Sequence, residues 1–164
     1  MSSHPRSTRT VRVKDHLKEV RFPLVMGILN ATPDSFHAAS RVDIDGALHR
    51  AEQMLKEGAA ILDIGGMSTR PGAEEVTEDE ERRRVVPVVK AIHRRFPEAW
   101  LSVDTYRANV ARAAVEAGAG LVNDVGAGLL DPAMLSTVAA LHVPYIAMHM
   151  QGTPRTMQQA PQYA

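Results

Sequence analysis

Short apolar runs alternate with longer amphipathic segments along the chain, and this alternation constrains the fold more than any other feature. The apolar runs are rich in Val, Ile and Leu, as is typical of strands that are buried on both faces. They lie at residues 22–29, 60–64, 100–103, 121–122 and 143–148. Strand–helix–strand repetition predicts right-handed crossovers and a parallel sheet, which is an α/β fold.

The segments between the runs predict helices, because their apolar residues recur with helical spacing. These segments cover residues 44–57, 78–96, 107–117 and 132–141. Thr77 and Glu80 have the spacing of a capping box, and Gly118 follows the third segment as a C-cap. The charge run at residues 78–84 is interpreted as a solvated helix face with pairs of opposite charge four residues apart.

Two parallel architectures fit this pattern: an open doubly wound sheet and a (β/α)8 barrel. A barrel needs eight strands and typically about 250 residues. This chain has 164 residues, and the apolar runs predict about five strands. The spacing alone therefore leaves both architectures open.

Composition excludes several classes of protein. Lys and Arg together number 19, as do Asp and Glu, so the net charge of zero gives no sign of a nucleic-acid partner or an anionic membrane surface. The chain has no cysteine, which excludes disulfides and cysteine-ligated zinc. The first ten residues are polar and basic, unlike a secretory signal. Residues 1–20 are predicted to be a tail or hairpin ahead of a domain at 21–164, and we expect the cytoplasm as the location.

Polar residues follow every apolar run. In both architectures, functional sites lie at the carboxyl ends of the strands. The residues at these ends include Asn30, Asp63, the glycine-rich stretch 65–72, Asp104, Thr105, Asn123, Asp124, Met148 and His149. Five polar strand ends in succession are hard to explain by packing, so they predict one functional rim.

The side chains of this rim indicate a class of substrate. Asp104 and Asn123 could hydrogen-bond the edge of a flat heterocycle. Thr69 and Arg70, in the glycine-rich stretch, suit phosphate oxygens. Asn30 offers a neutral oxygen to a hard cation such as Mg²⁺, which often shares the phosphates of a substrate. Together these groups predict a planar nitrogen ring that carries a metal-bound diphosphate.

Five ordered motifs resemble those of the dihydropteroate synthase family. The first is MGILNATPDSF at residues 26–36, and the second is GAAILDIGG at 58–66 followed by STRPGA at 68–73. The others are SVDT at 102–105, VND at 122–124 and MHMQGTP at 148–154. The match spans residues 23–158, which is nearly the whole chain.

The resemblance implies a partial (β/α)8 barrel, with about the first five βα units present. It implies that Asn30 contacts Mg²⁺ and a diphosphate, and that Thr69 and Arg70 lie near the diphosphate and p-aminobenzoate. Asp104 and Asn123 would bind the pterin ring, with Met148 or Met150 packed nearby. The family joins 6-hydroxymethyl-7,8-dihydropterin diphosphate to p-aminobenzoate, giving 7,8-dihydropteroate and diphosphate. The C–O bond to diphosphate breaks first, and the amine attacks the resulting cation. Sulfonamides mimic p-aminobenzoate in this family.

Some positions depart from the family pattern. Residues 37–40 are HAAS where the family usually has Ser-Asp-Gly-Gly, and Met67 stands in place of a usual glutamate. The family's later aspartate, lysine and Ser-x-Arg-x-His segment have no counterpart before Ala164, so the chain alone is expected to be incomplete for catalysis. A homodimer or a complementing C-terminal half is the expected partner. A non-catalytic pterin-binding paralogue and a methyltetrahydrofolate-binding methyltransferase domain are the alternatives.

Overall fold

A computed structural model of the chain describes residues 8–31, 41–67, 76–153 and 156–157. A β-hairpin comes first, and βα units follow it. The elements are β1 (Thr8–Val13), β2 (His16–Arg21), β3 (Met26–Asn30), α1 (Arg41–Lys56), β4 (Ile61–Gly65), α2 (Glu78–Arg95), β5 (Trp100–Asp104), α3 (Ala108–Ala117), β6 (Leu121–Asp124), α4 (Met134–Leu141) and β7 (Tyr145–Ala147). Within these ranges, no helix is both long enough and apolar enough to cross a bilayer.

The main sheet is parallel, and its strands lie in the order β3-β4-β5-β6-β7. Each strand pairs with the next one in the chain, whereas a doubly wound sheet reverses its order at a switch point. The prediction of a partial (β/α)8 barrel is therefore confirmed, and the open doubly wound alternative is wrong.

The outer face of the sheet packs against the helices. Leu62, Ile64 and Val103 are fully buried there, together with Val85 and Ile92 of α2. α2 begins after Thr77, whose side chain accepts a hydrogen bond from the Glu80 N–H at 3.3 Å. This half of the predicted capping box forms. Glu80 pairs with arginines of its own helix, Arg83 and Arg84.

Some predicted boundaries differ from the structure, and others agree with it. β3 begins at Met26 rather than at residue 22, since Pro23 has no N–H to donate to a neighbouring strand. α4 begins at Met134, and the two residues before it form a turn. Gly118 ends α3 as predicted, with a φ of 127° that favours glycine.

The N-terminal hairpin covers the amino ends of the strands. Val13 and Val20 pack on Ile61, Trp100 and Leu121, which are the first residues of β4, β5 and β6. The turn of the hairpin is fastened as well. The Lys14 N–H donates to the His142 carbonyl at 2.6 Å, and the Lys14 Nζ donates to the Val115 carbonyl at 3.1 Å. Because this end is covered, the carboxyl ends of the strands form the accessible rim.

Candidate functional site

One row of paired residues crosses the carboxyl ends of the strands. Asn30 pairs with Gly65, Gly65 with Asp104, and Asp104 with Asn123. Residues paired in a parallel sheet point to the same face, so the side chains of Asn30, Asp104 and Asn123 lie on one face at one level. This face is the barrel interior, because the residues before them in each strand pack under the helices. The structure thus brings these three predicted site residues together.

Gly65 leaves a gap in the row between Asn30 and Asp104. Strands lie about 4.8 Å apart, so these two residues, two strands apart, are separated by roughly 10 Å across a position without a side chain. A methyl group at Gly65 would sit 3.5 Å from the Asp104 carboxylate. The gap therefore opens space for a ligand directly beside that carboxylate.

Asp63 lies one layer below this row. It is 3% exposed and pairs across the sheet with Ser102, which is fully buried. Asn123 Nδ2 donates a hydrogen bond to Asp63 Oδ2 at 2.9 Å. Among the described residues, Asp63 Oδ1 and Ser102 Oγ have no partner in hydrogen-bonding geometry. Two polar atoms are therefore buried under the row without protein partners.

The two interior aspartates both have shifted pKa values. Burial raises the pKa of Asp104 to about 7, and the nearby carboxylates of Asp63, Glu81 and Asp124 act in the same direction. Burial also raises the pKa of Asp63, while the Ser102 hydroxyl and the Asn123 amide lower it. Near neutral pH, Asp104 can therefore either accept a hydrogen bond as a carboxylate or donate one as an acid.

Asp124 follows Asn123 in the chain but faces the opposite way. Its carboxylate accepts hydrogen bonds from the N–H groups of Gly126 at 2.6 Å and Gly128 at 2.8 Å, and from Tyr145 Oη at 2.6 Å. These bonds hold the turn after β6. Sequence reasoning placed Asp124 on the functional rim, whereas its contacts are those of a structural residue.

The remaining predicted site residues lie at or beyond the edge of this row. Met148 follows β7, is 37% exposed, and donates its N–H to the Asp124 carbonyl at 3.1 Å. Thr69 and Arg70 lie outside the described residues. The described residues contain no cluster of three or more His, Cys, Asp or Glu side chains that could hold a metal ion. Asn30 could contribute one oxygen to a cation that takes its other ligands from substrate and water.

Sequence reasoning missed an ion-pair cluster at the base of the loop between β4 and α2, which is called the second loop below. The solvated-face interpretation of residues 78–84 is wrong for Glu81, which is fully buried and lies 2.6 Å from Arg107 Nη1. Arg107 Nη2 donates to the Val76 carbonyl at 2.6 Å, and Arg84 Nη1 donates to the Gly66 carbonyl at 3.2 Å. The signal was present in the spacing, since Glu81 is four residues before Val85 on the apolar face of α2.

The fold and site define an α/β half-barrel with an amide and carboxylate rim suited to a flat nitrogen heterocycle. Residues 26–164 match the model of the pterin binding enzyme family. The chain therefore belongs to that family, and the resemblance to dihydropteroate synthases is confirmed.

Similar proteins agree with this assignment. The dihydropteroate synthase of Haemophilus influenzae is 51% identical over 146 residues, which are 88% of this chain and 52% of that protein. A Yersinia pestis dihydropteroate synthase, solved with a sulfonamide drug complex, superposes with a TM-score of 0.80 at 46% identity, over 94% of this chain and 56% of that one. The Burkholderia cenocepacia enzyme, complexed with 7,8-dihydropteroate, gives 0.75 at 46% identity, over 94% and 51%. The chain thus spans about half the length of these relatives.

Proposed function

We propose that this chain supplies the ring-binding half of a dihydropteroate synthase active site. In the proposed reaction, 6-hydroxymethyl-7,8-dihydropterin diphosphate and p-aminobenzoate give 7,8-dihydropteroate and diphosphate. The observation that carries the proposal is the interior row of Asn30, Asp104 and Asn123 at the carboxyl ends of the strands. A relative that is 46% identical was solved with 7,8-dihydropteroate, which supports the same substrate class here.

Asp104 and Asn123 hold the pterin ring in this proposal. They lie on neighbouring strands in the same register, so both can reach the edge of one flat ligand. A pKa of about 7 leaves Asp104 partly protonated at neutral pH. When positive charge develops on the pterin, the carboxylate form is favoured, and its field lowers the energy of the cation. Met148 contributes an apolar contact beside the ring.

The diphosphate end lies beside Asn30 in the proposal. The Asn30 side chain is exposed on the rim, and together with Thr69 and Arg70 of the second loop it would bind the diphosphate oxygens. A Mg²⁺ ion, when bound beside Asn30, would supply positive charge that stabilises the leaving diphosphate. The donor set fits this role, because a neutral amide oxygen leaves room for substrate oxygens and water around the ion.

The bond changes follow from these positions. The C–O bond to diphosphate breaks, and its electron pair leaves with the diphosphate oxygen. The amine of p-aminobenzoate then forms the new C–N bond with its lone pair and releases one proton to water. The protein contributes by orienting the ring and stabilising charge, so no covalent enzyme intermediate is required.

The proposal is tested by complementation. The chain is assayed for 7,8-dihydropteroate formation alone and with the second half of the Haemophilus influenzae relative supplied in trans. We expect turnover only in the second case, because that half carries the strands with which this sheet would close. The control is the Haemophilus influenzae enzyme itself, split at the equivalent position and reconstituted from its own two halves. If the split relative is active and this chain gives no product with the same second half, the proposal is wrong. Binding of methyltetrahydrofolate in preference to pterin diphosphate would favour the methyltransferase alternative.

Three finer points stay predictions: a cytoplasmic location, a homodimer, and a complementing C-terminal half as a natural partner.

A further inference from the structure

We infer that Asp63 is a positioning residue of the ring site, which fixes the Asn123 carboxamide so that its carbonyl oxygen faces the ligand. This inference rests on the proposed function, because it concerns how the same row recognises its ring. A buried aspartate at a strand end often accepts hydrogen bonds from nearby loop backbone. The observed partner of Asp63 is instead the side chain of Asn123.

The donor in this hydrogen bond is fixed by chemistry. An ionised carboxylate can only accept, so the 2.9 Å contact to Asp63 Oδ2 must come from the NH2 end of the Asn123 amide. The carbonyl oxygen is at the other end of the same rigid plane. An ionised Asp63 therefore orients the amide and leaves Oδ1 as the group that Asn123 presents to a ligand.

Burial strengthens the hydrogen bond that fixes this orientation of the Asn123 amide. Asp63 is 3% exposed, and the interior below it is covered by the hairpin, so water competes little for the hydrogen bond. Hydrogen bonds to charged groups are stronger than neutral ones in such surroundings. An unconstrained asparagine could turn either end of its amide toward a ligand. Asp63 removes this freedom before the ligand arrives.

The result is a pair of acceptors from neighbouring strands. Asn123 Oδ1 and the ionised form of Asp104 lie side by side in the row. Two adjacent acceptors select a ring edge that carries N–H or NH2 donors, and they disfavour an edge that carries only ring nitrogens with lone pairs. Asp63 thus contributes to specificity without touching the ring.

The test uses the reconstituted enzyme, which is this chain combined with the second half of the Haemophilus influenzae relative. Three variants of this chain are compared: Asp63→Asn, Asn123→Ala and both together. Asn is isosteric with Asp and keeps one acceptor, but it adds a donor that lets the Asn123 amide turn over. We expect Asp63→Asn to raise the KM for the pterin diphosphate about tenfold, which is the cost of one charge-assisted hydrogen bond. We expect kcat to fall much less. In the Asn123→Ala background, Asp63→Asn should alter KM less than twofold, because the amide that Asp63 orients is absent.

The pH dependence of kcat/KM is a second readout, and it would not change if Asp63 had only a structural role. The negative charge of Asp63 is one of the causes that raise the pKa of Asp104, together with burial, Glu81 and Asp124. Glu81 is itself paired with Arg107. Removing the Asp63 charge lowers the pKa of Asp104, so the pH dependence of kcat/KM near 7 should shift to lower pH.

Asp131→Asn is the matched control. Its carboxylate accepts the N–H groups of Ala108 at 2.7 Å and Ala133 at 2.9 Å, so the change costs stability outside the row. We expect an unchanged KM and an unchanged pH profile. If Asp63→Asn and Asn123→Ala have effects on KM that simply multiply, or if the pH profile of Asp63→Asn matches that of Asp131→Asn, the inference is wrong.

A binding measurement separates the two proposals. Quenching of pterin fluorescence reports ring binding without turnover. Absence of both binding and turnover in the unsubstituted reconstituted enzyme defeats the proposed function. Normal turnover together with independent effects of Asp63 and Asn123 defeats only the positioning role.

Discussion

At the scale of single residues, Asp104 combines a place in the interior row with a strongly raised pKa. It faces the interior row, and burial raises its pKa to about 7. A surface aspartate is fully ionised at neutral pH, whereas Asp104 changes charge within the physiological range. We therefore expect the ionisation of Asp104 to appear in the pH dependence of the activity.

We therefore predict that Asp104→Asn removes the ionisation near pH 7 from the kcat/KM profile of the reconstituted enzyme. The amide keeps the shape but cannot become a carboxylate when the pterin gains positive charge, so kcat should fall by about two orders of magnitude or more. Steady-state kinetics between pH 5 and 9 provide the measurement. A profile that keeps its transition, or a small loss of activity, would remove Asp104 from the pterin role.

The position of these residues at one rim could be predicted from the sequence, but the hydrogen bonds between their side chains could not. Asn30, Asp104 and Asn123 follow apolar runs, and parallel strands place their carboxyl ends at one rim. The hydrogen bond between Asp63 and Asn123 joins residues 60 positions apart on strands that are not neighbours. It depends on the curvature of the sheet, which no local pattern encodes.

At the scale of elements, the buried pair of Glu81 and Arg107 links α2 to the start of α3. The same arginine holds the Val76 carbonyl, and Arg84 holds the Gly66 carbonyl, so both flanks of the second loop are fastened to helix residues. Sequence reasoning assigned Glu81 to solvent because its neighbours on α2 are charged. The helical spacing to Val85 is the local signal that places it inside.

We predict that Arg107→Met destabilises the chain, combined with its complementing half, by about 3–5 kcal/mol, since it leaves the Glu81 carboxylate buried without its partner. Replacing both residues, with Glu81→Leu and Arg107→Met, should cost less than the single change. Urea unfolding followed by circular dichroism gives these values. Asp79→Asn is the control, because the exposed pair of Asp79 and Arg82 should contribute less than about 1 kcal/mol. Equal losses of unfolding free energy for Arg107→Met and Asp79→Asn would contradict this prediction.

The N-terminal hairpin is a second element that the sequence left undecided. Residues 1–20 were predicted to be a tail or a hairpin, and the described part from Thr8 to Arg21 forms two paired strands. Its buried residues, Val13 and Val20, are few and far apart, so their pattern alone is weak. What decides the structure is the apolar surface of Ile61 and Trp100, which the hairpin covers.

At the scale of the whole molecule, the five-stranded sheet has two edges, β3 and β7. Apolar side chains near these edges are unusually exposed, with Ile28 at 62% and Ile146 at 39%. Both lie on the interior face, Ile146 in the same row as Asn123. Exposed strand edges and apolar surface favour association with other chains.

We predict that the 164-residue chain alone self-associates and exposes dye-binding apolar surface. Ile28→Lys should weaken this association, since it places a charge on the interior face next to the β3 edge. Leu129→Lys is the control, because Leu129 is 84% exposed but lies in the turn after β6. Light scattering coupled to size exclusion gives the mass. Reversible, cooperative unfolding of a stable monomer would contradict the prediction.

The opposite orientations of Asn123 and Asp124 carry a consequence for the evolution of this strand. Adjacent positions have unrelated tasks, since Asn123 has the proposed role in ligand recognition and Asp124 holds the following turn. Inserting or deleting one residue within β6 would exchange the two side chains between the faces, because direction alternates at every step. A register shift of that kind would disrupt both ligand recognition and the following turn, whereas a point substitution can alter either one separately. The length of β6 should therefore be under stronger selection than the identity of any one of its residues.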